Sequence, residues 1–160
     1  MAQQLLGQRS VPRQVKNRHG ALGTELIQVI AAAIAALIGF AVIAIFQAAL
    51  ALGAPVGRAV WGGARARPAT RLRIASALAV GIWAFAALII VGRAGFRESP
   101  AHASFARYGT FVLIGVLALS AIGNVASRSK WERFLWAPLS LALAVLCLEV
   151  ARSGTHAPWG

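Results

Sequence analysis

The carboxylates, imidazoles and thiol that could do acid–base or nucleophilic chemistry are few: Glu25, Glu98, Glu132, Glu149, His19, His102, His156 and Cys147. There is no aspartate, so a Ser-His-Asp relay cannot be assembled. One cysteine permits neither an internal disulfide nor a CxxC redox pair. The histidines all fall outside the apolar runs, so no two of them can face each other in a bilayer to hold a haem. No phosphate-cradling loop or metal-ligand spacing occurs. The expectation is a protein that is not an enzyme and carries no cofactor. Two acids still need explaining. Glu132 stands in the stretch ASRSKWERFLWAP, 126–138, crowded with Arg128, Lys130, Arg133, Trp131 and Trp136. Glu149 lies one residue from the end of the last apolar run. An acid within a span is a functional candidate by default, and a proton-coupled carrier needs one. Arg152, three positions on, instead offers an i,i+3 ion pair at the interface. The pair is the preferred expectation.

The elements that must position these residues are apolar helices. Of 160 residues, 59% are hydrophobic and 12% charged, with a mean hydropathy of +0.71. A soluble domain runs nearer 45–50% apolar and about 25% charged. Crossing a hydrocarbon core of roughly 30 Å takes about 20 apolar residues. Four runs approach that length: 26–52, 74–91, 110–126 and, with its capped start, 130–150. In the first, Gln28 and Gln47 bracket a stretch without polar side chains and stand about 28 Å apart at helical rise. Runs this long without polar alternation argue against strands. The fold class expected is an all-α membrane protein: a basic tail over 1–25, a four-helix transmembrane domain over 26–152 and a short tail over 153–160. The tail is expected to be loosely ordered. The first run is too long for a signal-peptide core and reads as an uncleaved anchor.

Charge follows the same plan. Sixteen Lys and Arg against four acids give a formal charge of +12. The basic residues stand between the apolar runs rather than on one face, which points to membrane flanks and anionic headgroups, not nucleic acid. Arginine outnumbers lysine, which is present only as Lys16 and Lys130; with the abundant Ala and Gly this fits a GC-rich bacterial coding sequence. The localisation expected is a bacterial inner membrane. Eight basic residues fall on each side of the four spans, so the positive-inside rule ties. The four-charge tail, awkward to translocate, favours both termini in the cytoplasm.

Local signals set the boundaries and contacts. Thr24–Glu25 offers an N-cap with an acid in the first turn. Ser99–Pro100 is expected to start a short interfacial helix ending at Phe105. Ser129 and Glu132 fit a reciprocal capping box, with Trp131 and Trp136 as interfacial anchors and Arg133 adding charge beside them. Trp61, in the arginine-rich connection GAPVGRAVWGGARARPATRLR over 53–73, suits the headgroup level, with partner docking as the alternative. Ala32 with Ala36, Ala35 with Gly39, and Ala77 with Gly81 are small pairs four apart that let helices approach closely. Ser120 and Asn124 share a face and are expected to make an interhelical hydrogen bond before lining any solute path.

The stretches GAPVGRAVWGG and TRLRIAS, with Asn124, Ser127, Ser129, Glu132–Arg133, Trp136, Pro138 and Cys147, resemble a family of small bacterial four-helix integral membrane proteins. That family carries GAPxG…WGG and NxxSxSxxERxxWxP patterns. The resemblance covers about 50–150 and implies the four-helix fold; no established activity, and hence no catalytic residue, comes with it. The basic tail and Glu149 depart from the pattern. The function expected is an accessory or assembly subunit of a larger membrane complex, held through a membrane-protein partner or by self-association. A small homo-oligomeric carrier or channel is the alternative. A regulator that uses the arginine-rich connection on lipid is a third, weaker expectation.

Overall fold

A computed structural model describes residues 13–60, 62, 66–94 and 100–153. Four helices account for most of them: α1, Arg13–Ala51; α2, Thr70–Arg93; α3, Pro100–Ala126; and α4, Ala137–Ser153. A π-helical turn, Glu132–Trp136, runs directly into α4. Four segments are long and apolar enough to cross a membrane: Leu22–Ala51, Thr70–Arg93, Ser104–Ala126 and Glu132–Arg152. The first has 30 residues, about 45 Å of helix, more than a bilayer core requires.

Two boundary expectations need correction. Helix α1 begins at Arg13 and passes straight through Thr24 and Glu25, so the part of the tail from Arg13 onward is helical. Residues 1–12 lie outside the described residues, as does the C-terminal tail from 154. Pro100 does open a helix, where its missing N–H removes no bond. That helix is not a separate interfacial piece ending at Phe105; it continues unbroken to Ala126.

Each helix packs on its neighbours in the chain, α4 closes onto α1, and α2 touches α4 across the diagonal. At mid-span the interior is filled by Ala33, Ala36, Phe40, Leu117 and Leu143, all essentially inaccessible. Phe40 stacks on Trp83 with ring centroids 5.7 Å apart, tying α1 to α2. The small residues divide by face. Ala32 and Ala36 are buried, and a Cβ at Gly39 would stand 2.5 Å from Leu143 Cδ2. Ala35 lies off the face through which Gly39 meets Leu143 and is exposed, because the buried stripe of α1 runs through Ala32, Ala33, Ala36, Phe40 and Ile43. Ala77 and Gly81 also face outward, and nothing lies within 4 Å of where a Gly81 Cβ would be.

Polar groups inside the spans are treated unequally. Thr110 is buried and donates back to Ala106 O at 2.7 Å, one turn earlier. Ser76 is wholly buried, yet its hydroxyl has no hydrogen-bond partner among the described residues, nor has Gln47 Oε1. Gln47 lies two turns beyond Phe40 and Ser76 two turns before Trp83, so both sit at one level of the α1–α2 interface. An unpaired buried hydroxyl costs about 1–3 kcal/mol. Ser76→Ala should therefore raise stability by about 1 kcal/mol in detergent unfolding; a loss of stability would show that the hydroxyl is satisfied.

Candidate functional site: a junction of two loops

The richest convergence of polar side chains among the described residues lies where the α1–α2 connection meets the α3–α4 connection. Its construction begins at the end of α1. Leu52 and Ala54 continue bonding to Ala48 and Ala49, and Gly53 adopts φ +89°, a left-handed turn that glycine takes without steric cost. The chain then forms a 3₁₀ turn at Gly57–Ala59, and Gly57 N donates to Ala66 O at 2.8 Å, closing the connection on itself. The carbonyls of Arg58 and Ala59 are left facing the other connection.

The stretch over 127–136 meets them. Trp136 Nε1 donates to Ala59 O at 2.7 Å, and Ser129 Oγ donates to Arg58 O at 3.3 Å. Gly62, at φ +75°, donates its amide to Glu132 Oε1 at 2.9 Å. Ser127 Oγ donates to Glu132 Oε2 and accepts from Ser129 N at 3.1 Å. Arg133 N donates to Ser129 O at 3.1 Å. The two segments are thus joined by three direct bonds, with Glu132 linked on both sides.

This geometry changes several expectations. The reciprocal capping box between Ser129 and Glu132 does not form. Ser127, not Glu132, accepts the Ser129 amide, which releases the carboxylate to bridge to the other loop. Trp136 is no interfacial anchor: it is buried, bonded to Ala59 O and packed on Phe46 with ring centroids 4.7 Å apart. Trp131 is 58% exposed, as an anchor requires. Trp61 lies outside the described residues. Arg133 does more than add charge: its Nη2 donates to Ser127 O at 2.8 Å, just beyond the end of α3. The expected interhelical bond of Ser120 and Asn124 is not made among the described residues; both side chains are half-buried toward the end of α3.

Arg133 is not alone in this among the described residues. Arg73 Nε donates to Ala51 O at 2.9 Å at the end of α1, and Arg93 Nη2 donates to Ala151 O at 2.6 Å near the end of α4. Helix ends leave carbonyls unpaired and carry partial negative charge, which a guanidinium satisfies. Counting all arginines as topology signals therefore conceals a structural share. Glu149 and Arg152 meet at 3.4 Å with both side chains more than half exposed; such a pair contributes little stability. Glu149 also lines a cleft of about 320 Å³ with Glu25, Gln28 and Val29.

The π turn is the feature the sequence did not disclose. Pro138 has no N–H to return to Phe134 O, and its ring crowds that carbonyl. The helix widens just before it, and Ala137 N bonds to Glu132 O, five residues back. The proline was the available signal. Glu132→Ala should cost about 2 kcal/mol, because a Gly62 amide and a Ser127 hydroxyl lose a charged acceptor. Glu132→Gln, which keeps one acceptor, should cost less. Equal stability of Glu132→Ala and wild type in detergent unfolding would remove the carboxylate from the junction.

Fold and site together define an all-α protein with four helices able to cross a membrane and two connections bonded at one end. No protein-family model matches the chain, and neither a curated protein nor a solved structure does.

Proposed function

We propose that this is a small multi-pass protein of a bacterial inner membrane, without chemistry of its own, that serves as an accessory or assembly subunit of a larger membrane complex. The observation that carries this reading is the division of small residues. Ala32, Ala36 and Gly39 are used within the chain, whereas Ala77 and Gly81 face outward with open space beside Gly81. Small residues on an outward face let another helix approach closely in lipid, where packing rather than water exclusion drives association. The resemblance to small four-helix membrane proteins belongs to the same reading, and the two connections that carry its motifs are those that bond to each other. Both termini are read as cytoplasmic, which the four-charge basic tail supports although the overall count of basic residues is even on the two sides.

The carrier alternative draws less support. Glu149 is engaged with Arg152 at the end of its span, and the middle of the bundle is occupied by Phe40, Leu117 and Leu143. The discriminating experiment is mild-detergent extraction from the native membrane followed by native sizing. Wild type should co-migrate with a larger assembly, and Gly81→Leu should separate from it while keeping its fold. Migration of the wild type alone would overturn the subunit reading.

A further inference from the structure

The end of the bundle that holds the loop junction carries an imbalance of charge. Glu132 is the only acid in either connection there, and its two oxygens are taken by Gly62 N and Ser127 Oγ. Arg73 is committed to the carbonyl of Ala51 at the end of α1 and Arg133 to that of Ser127 just past α3. Arg58, Arg67, Arg71, Arg128 and Lys130 remain, all exposed, and their side chains make no hydrogen bond or ion pair to the described residues. Two of them stand where a helix disfavours a cation. Arg71 lies in the first turn of α2, which contains no acid, and Lys130 opens the helical segment leading to α4. Helix N-termini carry partial positive charge and favour anions. Cations at these positions raise the local potential instead of balancing it. Folding alone gains nothing from that arrangement; an anion does.

The position and neighbours of these cations select the anion. They ring the ends of the four candidate spans, at the level a bilayer's phosphates would occupy. Trp131 and Phe134, 58% and 73% exposed, follow directly on Lys130 in the same turn. An amphipathic indole prefers the boundary between headgroups and acyl chains, and a phenyl ring beside it needs an apolar cover. An acidic protein segment would match the charge but would leave these rings uncovered. We propose that this end is a binding face for anionic phospholipid headgroups, with the five free cations gathering phosphates, Trp131 at the headgroup–acyl boundary with its N–H toward the headgroups, and Phe134 on the acyl side beside it. The inference does not depend on the protein partner proposed above.

The test is lipid retention by the full chain released from nanodiscs containing equal phosphatidylcholine and phosphatidylglycerol, read by native mass spectrometry. Wild type should retain phosphatidylglycerol in preference, and the preference should fall with added salt. Arg58→Gln/Arg71→Gln/Arg128→Gln removes three exposed charges, each worth a severalfold factor near an anionic surface, so the preference should weaken roughly 100-fold. Arg107→Gln, at the opposite end, should leave it unchanged. Equal retention of the two lipids by the wild type overturns the proposal without recourse to any variant. So does an undiminished preference in the folded triple variant, including the case in which that variant loses a co-purifying acidic protein instead.

Discussion

Trp136→Ala lowers the unfolding free energy by about 3 kcal/mol or more, the range for truncating a buried aromatic. Three losses combine. The indole no longer donates to Ala59 O, the contact with Phe46 disappears, and the space beside the junction is left empty. Trp136→Phe isolates the first loss, since the ring stays while the Ala59 carbonyl is deprived of its donor; it should cost about 1–2 kcal/mol. Helix content in mixed detergent micelles, followed by circular dichroism against a denaturing detergent, gives both numbers. If Trp136→Ala unfolds like the wild type, the indole is not holding the two connections together. If Trp136→Phe is as damaging as Trp136→Ala, the hydrogen bond carries the whole effect and the ring contact none.

Gly39→Leu is the second large effect. A Cβ at this position would meet Leu143 Cδ2 at 2.5 Å and Leu143 Cγ at 3.3 Å, and Leu143 is itself enclosed. Most of an isobutyl group stands in the way, so either the enclosed Leu143 side chain or the spacing of α1 and α4 must give. Overpacking of this kind typically costs about 1–3 kcal/mol, and Gly39→Leu belongs at the upper end. Leu143→Ala alone leaves a cavity and should cost about 2–3 kcal/mol. Combined, the two substitutions should lose clearly less than their sum, because each relieves the other's defect. Strict additivity in the same unfolding assay would show that Gly39 and Leu143 do not touch. This pair also separates folding from association: Gly39→Leu damages the chain itself, whereas Gly81→Leu, on the outward face, should leave it folded.

Much of this architecture is legible in the sequence because lipid imposes a simple grammar. Backbone groups in a hydrocarbon core must bond internally, so an unbroken apolar run of sufficient length reads as a helix. The Pro100 start, too, follows from local chemistry. Which face of each helix turns inward is less legible. In an alanine-rich segment such as α1, Ala35 and Ala36 are chemically identical, and only the packing of Phe40 and Leu143 decides that Ala36 is buried and Ala35 exposed.

The junction shows a different limit. Ser129, Glu132 and Trp136 have local roles available, as cap, box partner and anchor, and sequence spacing favours local roles. Their bonds instead reach Arg58, Gly62 and Ala59, about 70 residues earlier in the chain. Ser127, which replaces Glu132 at the Ser129 amide, makes that reassignment possible. Arginine is ambiguous for a related reason. The same side chain serves as a topology signal, a lipid contact or a cap for a neighbour's carbonyls, and only the fold separates Arg73 and Arg133 from Arg71 and Arg128.

The most direct test of the loop junction is hydrogen exchange of the tryptophan indole N–H groups, measured by NMR on the full chain in micelles. Trp131, largely exposed, provides the internal reference for Trp136, which is bonded to Ala59 O. Trp136 should exchange much more slowly than Trp131, and Glu132→Ala, which loosens the same junction from the other side, should erode that protection. Exchange of Trp136 as fast as Trp131, or protection indifferent to Glu132→Ala, would contradict a junction in which the two connections hold each other.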